Sequence, residues 1–204
     1  MTLERTIAKH LLDIEAVALR PNDYFTWTSG IKSPIYCDNR ITMSYPKIRR
    51  EIAAGISKVI KEKFPEVEVV AGTATAGIPH AAWVSEVLDL PMIYVRDSAK
   101  KHGKTNQIEG RLLEGQKVVI IEDLISTGLS SLKVAKALEE AGAEVLGIVA
   151  IFSYELKKAQ DAFATDNVEY YTLTNYNFLI EEAVASNYIK QEDVEKLLEW
   201  RNNL

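Results

Sequence analysis

Residues 118–131, VVIIEDLISTGLSS, constrain this chain more than any other stretch. Four apolar residues, as in a strand buried on both faces, run straight into two adjacent acids, Glu122 and Asp123. A short loop rich in hydroxyls and glycine follows, and then a helical pattern. Carboxylates at a strand tip accept hydrogen bonds from a sugar diol, as the acidic residue of dinucleotide-binding folds does. The N–H groups that open the next helix, with the hydroxyls of Ser126, Thr127 and Ser130, suit a phosphate dianion. The plainer reading is a junction whose Ser and Thr only cap the helix. Capping alone does not require two acids on a buried strand end, so the order points to a phosphorylated sugar.

Around this stretch the apolar pattern alternates between strand and helix. Residues 2–18 read as an amphipathic helix, with Leu3, Ile7, Leu11, Ile14 and Val17 on one stripe. Residues 24–29 and 34–38 read as short strands about the Gly30 turn, and residues 45–64 as a helix stopped by Pro65. Strands are then expected over 67–72, 92–96, 117–123, 145–152 and 168–173. Helices are expected over 78–88 and 129–141, with a short one before the last strand and two after it. This order implies an α/β fold, a mainly parallel sheet flanked by helices. Residues 1–40 fall outside the alternation and read as a small N-terminal cap, leaving 41–204 as the core of a single domain. Ligands on such sheets sit at the carboxyl ends of the strands.

Three further segments converge on those strand ends. Residues 72–77, GTATAG, are small enough to admit a ligand close to the backbone, or form a plain strand-to-helix turn. Residues 96–110, RDSAKKHGKTNQIEG, carry Arg96, Lys100, Lys101, His102 and Lys104 with few apolar anchors. A long polar loop of this kind is either solvated or functional. Between two sheet strands, it can close over a polyanion and exclude water. Residues 25–40, FTWTSGIKSPIYCDNR, interleave Phe25, Trp27 and Tyr36 with Ser29, Lys32, Ser33 and Asp38. Such aromatics pack a cap or face a flat heteroaromatic ligand.

Composition removes several classes. With 204 residues, 47% hydrophobic and 26% charged, the chain has the make-up of a soluble globule. A net charge of −5 argues against a general nucleic-acid binder. The single cysteine, Cys37, excludes an intramolecular disulfide and suits a reducing, cytoplasmic setting. No apolar run approaches the roughly 18 residues of a membrane span, and the acidic, amphipathic N-terminus is unlike a signal peptide.

VVIIEDLISTGLSS closely resembles the phosphoribosyl pyrophosphate signature of the type I phosphoribosyltransferases. FTWTSGIKSPIYCDNR, GTATAGIPHA and YVRDSAKKHG resemble the orotate phosphoribosyltransferase family, and the likeness runs over nearly the whole chain. The resemblance implies the type I phosphoribosyltransferase fold. It also implies transfer of ribose 5-phosphate from 5-phosphoribosyl 1-pyrophosphate to orotate, with Mg²⁺, giving orotidine 5′-monophosphate and pyrophosphate. By position, Glu122 and Asp123 would bind the ribose hydroxyls. Leu124, Ile125, Ser126, Thr127, Gly128, Leu129 and Ser130 would line the 5′-phosphate site. Arg96, Lys100, Lys101 and His102 would hold pyrophosphate, with Lys100, Asp123 and His102 as catalytic candidates. Ser126, Tyr36, Cys37 and Lys32 would contact orotate. Mg²⁺ would be held by substrate and water with no direct protein ligand. The mobile loop would complete the neighbouring site of a homodimer, and neither nucleic acid nor membrane would be a partner.

Four positions depart from some members of that family. Asp97 stands where a lysine follows the loop arginine, and Ala76 replaces a lysine after the second strand. Thr28 replaces a lysine of the N-terminal segment, and Tyr154 an arginine after the fifth strand. Lys101, Lys104 and Lys32 are candidate stand-ins for the lost charge. Two other readings share the signature: a purine-base phosphoribosyltransferase, which leaves SGIKSP unexplained, and a sensing regulator, which would need a DNA-binding appendage or basic face.

Overall fold

The computed structural model describes residues 2–27, 30–97 and 107–204. A six-stranded sheet forms its centre, with strands β5 (Val69–Thr73), β6 (Met92–Val95), β7 (Ile108–Glu109), β8 (Lys117–Ile125), β9 (Glu144–Ser153) and β10 (Tyr170–Asn175). Their spatial order is β10-β9-β8-β5-β6-β7, parallel throughout except for the antiparallel edge strand β7. Val118, Val119, Ile120 and Ile121 are fully buried, as a strand covered on both faces requires.

Alternation along β8 sends Val119 and Ile121 to one face and Val118 and Ile120 to the other. The first face packs against α1 (Leu3–Asp13), α2 (Pro46–Lys63), α3 (Gly77–Leu88) and α6 (Tyr176–Ala185). The second is covered by α4 (Leu129–Glu140) and α5 (Lys157–Asp166). The α/β expectation, a mainly parallel sheet between helical layers, is therefore what the chain adopts. Helix α7 (Val194–Asn202) closes the C-terminal end, where Trp200 meets Trp27 edge-on with ring centroids 5.8 Å apart.

Several local expectations change. The helix expected over 2–18 stops at Asp13, and Glu15 takes a left-handed φ of 57°. Val17 is instead the first residue of β1 (Val17–Leu19), antiparallel to β4 (Ile35–Cys37). An apolar stripe fits either element, and pairing with a strand eighteen residues away (Val17↔Cys37 among its registers) decides it. The cap's other hairpin joins β2 (Phe25–Thr26) to β3 (Lys32–Ser33). Strand β7 was not expected, because two residues carry no periodicity. Strand β8 runs two residues beyond Asp123, since β9 still pairs with it at Leu124↔Phe152 and Ile125↔Ser153. On its other side the ladder with β5 ends at Gly72↔Ile121. The two acids thus stand where one neighbouring strand has stopped and the other continues.

Candidate active site

Glu122 and Asp123 leave the strand in succession on alternate sides, yet their carboxyl groups stay within hydrogen-bonding reach of each other. Glu122 lies on the α4 side, 6% exposed, and its Oε2 accepts from Ser131 Oγ at 3.1 Å. Its Oε1 accepts from the backbone N–H of Asp123 at 3.0 Å. Asp123 lies on the cap side, where Asp38, Arg40, Cys37 and Tyr154 all feel its charge. Burial, followed by the neighbouring Asp123 charge, pushes the Glu122 carboxyl well above the usual carboxylate range. Burial also raises Asp123. Two half-desolvated acids side by side favour sharing a proton until hydroxyl donors or a cation arrive.

Beyond the acids, Ser126 and Thr127 are half-buried and Ser130 is exposed at the start of α4. Gly128 precedes the helix with φ +78°, and a Cβ there would lie 2.6 Å from Cε2 of Phe163. Only glycine satisfies both the left-handed backbone and the ring. The first turn of α4 has no side-chain cap. The capping explanation of these hydroxyls therefore fails, and the first N–H groups of the helix are left without a side-chain partner.

The GTATAG segment joins β5 to α3 next to the acids. A Cβ on Gly77 would collide with the carbonyl oxygen of Ile121, so this glycine brings α3 against β8. Thr73 is buried and Thr75 exposed. The small residues therefore serve close packing here, and Thr75 is the side chain presented to solvent.

On the cap, Tyr36 is 45% exposed beside the half-buried Cys37. Burial, with the charges of Asp123 and Asp38, holds the Cys37 thiol well above its ordinary pKa, so it is a neutral wall. Trp27 is taken up by packing: it stacks on Tyr154 at 5.5 Å and donates Nε1–H to the carbonyl of Ile35 at 3.0 Å. Phe25 lies 5.8 Å from Tyr36, and the Arg20 guanidinium sits over the Phe25 ring at 4.5 Å. Of the cap aromatics, Tyr36 remains for a ligand. Lys32 is exposed, and its amine donates to Thr26 Oγ1 at 2.6 Å.

Arg96 follows β6, two strands from β8, and its Nη1 lies 3.5 Å from Oε1 of Glu109. Its backbone N–H donates to the carbonyl of Gln107, which closes the base of the basic loop. Lys100, Lys101, His102 and Lys104, like Thr28, lie outside the described residues. Lys133 on α4, which the sequence did not single out, donates to the carbonyl of Asp97 at 2.9 Å. It brings a cation from α4 to the root of that loop.

Residues 44–187 match the phosphoribosyl transferase domain. Over the full chain the sequence is 63% identical to orotate phosphoribosyltransferase of Listeria innocua, covering 97% of that protein. Identity to the Staphylococcus aureus enzyme of the same name is 62%, over 99% of this chain and all of that one. The chain belongs to the orotate phosphoribosyltransferase family. Solved structures agree. That of the Aeropyrum pernix orotate phosphoribosyltransferase superimposes with TM-score 0.77 at 26% identity, over 90% of this chain and 99% of that one. Leishmania donovani UMP synthase gives 0.82 at 28% identity over 98% of this chain. Only 42% of that longer synthase is matched. The family expected from the signature and the cap segment is thus borne out.

Some contacts of this orotate phosphoribosyltransferase fold were missed by sequence reasoning. Ser131 carries a hydroxyl that fits the helix pattern equally well as a surface residue. Arg40 ends the cap motif and binds Asp38 through Nε at 2.6 Å and Nη2 at 2.8 Å. Its place beside Asp123 could have been suspected from the alternation of charge in CDNR. Asn39 gave no signal of its own.

Proposed function

We propose that the chain transfers the 5-phosphoribosyl group of 5-phosphoribosyl 1-pyrophosphate to orotate, releasing pyrophosphate and forming orotidine 5′-monophosphate for pyrimidine biosynthesis. The observation that carries the phosphoribosyl half is the uncapped N-terminus of α4 beside two adjacent carboxylates, Glu122 buried and Asp123 half-buried. The orotate half rests on full-length similarity to proteins of that name.

In this reading Asp123, with Glu122 behind it, accepts hydrogen bonds from the ribose hydroxyls. The backbone and hydroxyls over Leu124, Ile125, Ser126, Thr127, Gly128, Leu129 and Ser130 hold the 5′-phosphate. As the bond from the anomeric carbon to the pyrophosphate oxygen lengthens, positive charge builds on the sugar ring. The adjacent carboxylates stabilise that charge. A ring N–H of orotate, set against Tyr36 and Cys37 with Ser126 and Lys32 at its rim, then gives up its proton to solvent as the nitrogen bonds to the anomeric carbon. Arg96, Lys100, Lys101 and His102 receive the departing pyrophosphate, with Lys100 the leading catalytic group and His102 a donor to the leaving oxygen. Most of the rate comes from position and electrostatics.

Mg²⁺ would be held by substrate oxygens and water with no direct protein ligand, since this ion keeps several of its waters. When bound through substrate oxygens it neutralises pyrophosphate charge. We place the enzyme in the cytoplasm as a homodimer whose loop reaches the neighbouring site. A single cysteine supports the first point, and the resemblance to the family supports the second. Among the described residues no helix is long and apolar enough to cross a membrane. Residues 1–40 act as a cap over the core of 41–204, with Tyr36 and Cys37 as its working edge.

The deciding assay follows loss of orotate absorbance with 5-phosphoribosyl 1-pyrophosphate and Mg²⁺, with adenine, hypoxanthine and uracil competing. Orotate is consumed and the other bases do not slow it. No consumption of orotate would overturn the proposal.

A further inference from the structure

Where β5 ends, the peptide of Asp123 loses its ladder partner on that side. Every buried backbone group still needs one. The N–H is met by Glu122 Oε1 at 3.0 Å. The carbonyl is met by the side chain of Asn39, whose Nδ2 donates at 2.6 Å across 84 residues of sequence. Asn39 is 1% exposed and opens the helical turn Asn39–Ser44 that follows directly on the cap's Cys37 and Asp38. Its own carbonyl accepts from Thr42 Oγ1 at 2.6 Å, and Thr42 in turn lies 3.4 Å from Nε2 of buried His80. The backbone just before it is also fixed, since Asp38 N–H donates to the carbonyl of Ala16 at 2.7 Å.

This arrangement holds Asn39 rigidly from the cap side. Its other amide atom, Oδ1, is buried without a hydrogen-bond partner among the described residues. A buried amide left half-satisfied is not chosen for packing, where leucine has the same volume without the desolvation cost. What the amide contributes is the single contact it does make.

We propose that Asn39 is a positioning residue: by holding the Asp123 peptide from the base-binding segment, it sets the Asp123 carboxylate to receive the ribose diol. This rests on the reaction proposed above. One part-buried hydrogen bond then joins the wall that meets the base, Tyr36 and Cys37, to the carboxylate that meets the sugar. The sugar and base halves are therefore held in mutual register before either substrate binds, which is the geometry that displacement at one carbon requires.

The test compares wild type with Asn39→Leu and with Asn39→Asp, which keeps the volume but cannot donate when ionised. Affinity for 5-phosphoribosyl 1-pyrophosphate is read by calorimetry with Mg²⁺, and both KM values by steady-state kinetics. Both variants should bind 5-phosphoribosyl 1-pyrophosphate roughly 10- to 100-fold more weakly, as losses of supporting contacts to binding groups do. The KM for orotate should change by about twofold at most, since Tyr36 and Cys37 keep their own backbone pairing. In an Asp123→Asn background, Asn39→Leu should add nothing further, because it acts through Asp123. Wild-type affinity in either folded variant overturns the proposal. So does an equal rise in both KM values, or full additivity with Asp123→Asn. If wild type binds 5-phosphoribosyl 1-pyrophosphate but leaves orotate unused, the reaction reading fails while calorimetry still decides the role of Asn39.

Discussion

Ser131, in the first turn of α4, donates its hydroxyl to Oε2 of Glu122 at 3.1 Å, and both side chains are buried. The bond crosses from the strand that bears the acids to the helix whose N-terminus is left uncapped. It also separates the duties of two carboxylates that look equivalent in the sequence. Glu122 is committed to Ser131 and to the N–H of Asp123, so it sets the angle between strand and helix. Asp123 faces the cap, half-buried, with its carboxyl against that of Glu122.

Because burial raises both acids, removing one charge should relieve the unliganded protein. Asp123→Asn is expected to raise thermal stability, by an amount on the order of 1 kcal/mol, while turnover falls by orders of magnitude. Calorimetric melting and the orotate assay measure the two effects. A melting temperature that drops would show that Asp123 is not a strained site.

Gly128 fits its place twice, through a left-handed φ and through the Phe163 ring. Gly128→Ala should cost about 2–4 kcal/mol and raise the KM for 5-phosphoribosyl 1-pyrophosphate more than that for orotate. Denaturant unfolding with kinetics of both substrates checks this. Equal changes in the two KM values would contradict a phosphate-holding loop.

Lys100→Ala should collapse turnover with the melting temperature unchanged. Mixing it with Asp123→Asn should restore activity, since a hybrid dimer with shared sites carries one intact loop and one intact carboxylate at the same centre. Unchanged turnover in the single variant removes Lys100 from the mechanism. No recovery after proven subunit exchange removes the shared site.

His80 is 1% exposed, and burial lowers its pKa from 6.5 to about 4. The unfolded chain therefore takes up a proton that the folded one refuses. Its contribution to stability is complete above about pH 7 and is lost as pH falls from 6.5 towards 4, by up to about 3 kcal/mol. Urea unfolding at pH 7.5 and 4.5 should show a smaller difference for His80→Gln than for wild type. Parallel losses in the two proteins would mean that other groups carry the acid sensitivity.

Much of the site was legible because its signals are local. A buried apolar run, two acids and a glycine before a helix state their geometry within fourteen residues, and β8, Gly128 and α4 lie where that order puts them. The cap was legible in composition and less so in form. Val17 fits a helical stripe by spacing and yet pairs with Cys37 in a sheet, because pairing partners are distant in sequence. Trp27 reads equally as ligand wall or packing, and only Tyr154 and Trp200 around it decide for packing.

By itself the sequence determined the alternation of strand and helix, the acidic strand tip and the resemblance that names the chemistry. These follow from periodicity and from residue types at short spacing. Only the tertiary structure decided which acid faces the cap, what closes the Asp123 peptide, and that the α4 terminus is left uncapped. Each of those depends on where β5 stops and which side chain arrives from elsewhere in the chain. The contact between Asn39 and Asp123 spans 84 residues. A sequence records both partners of such a bond, and folding alone makes them neighbours.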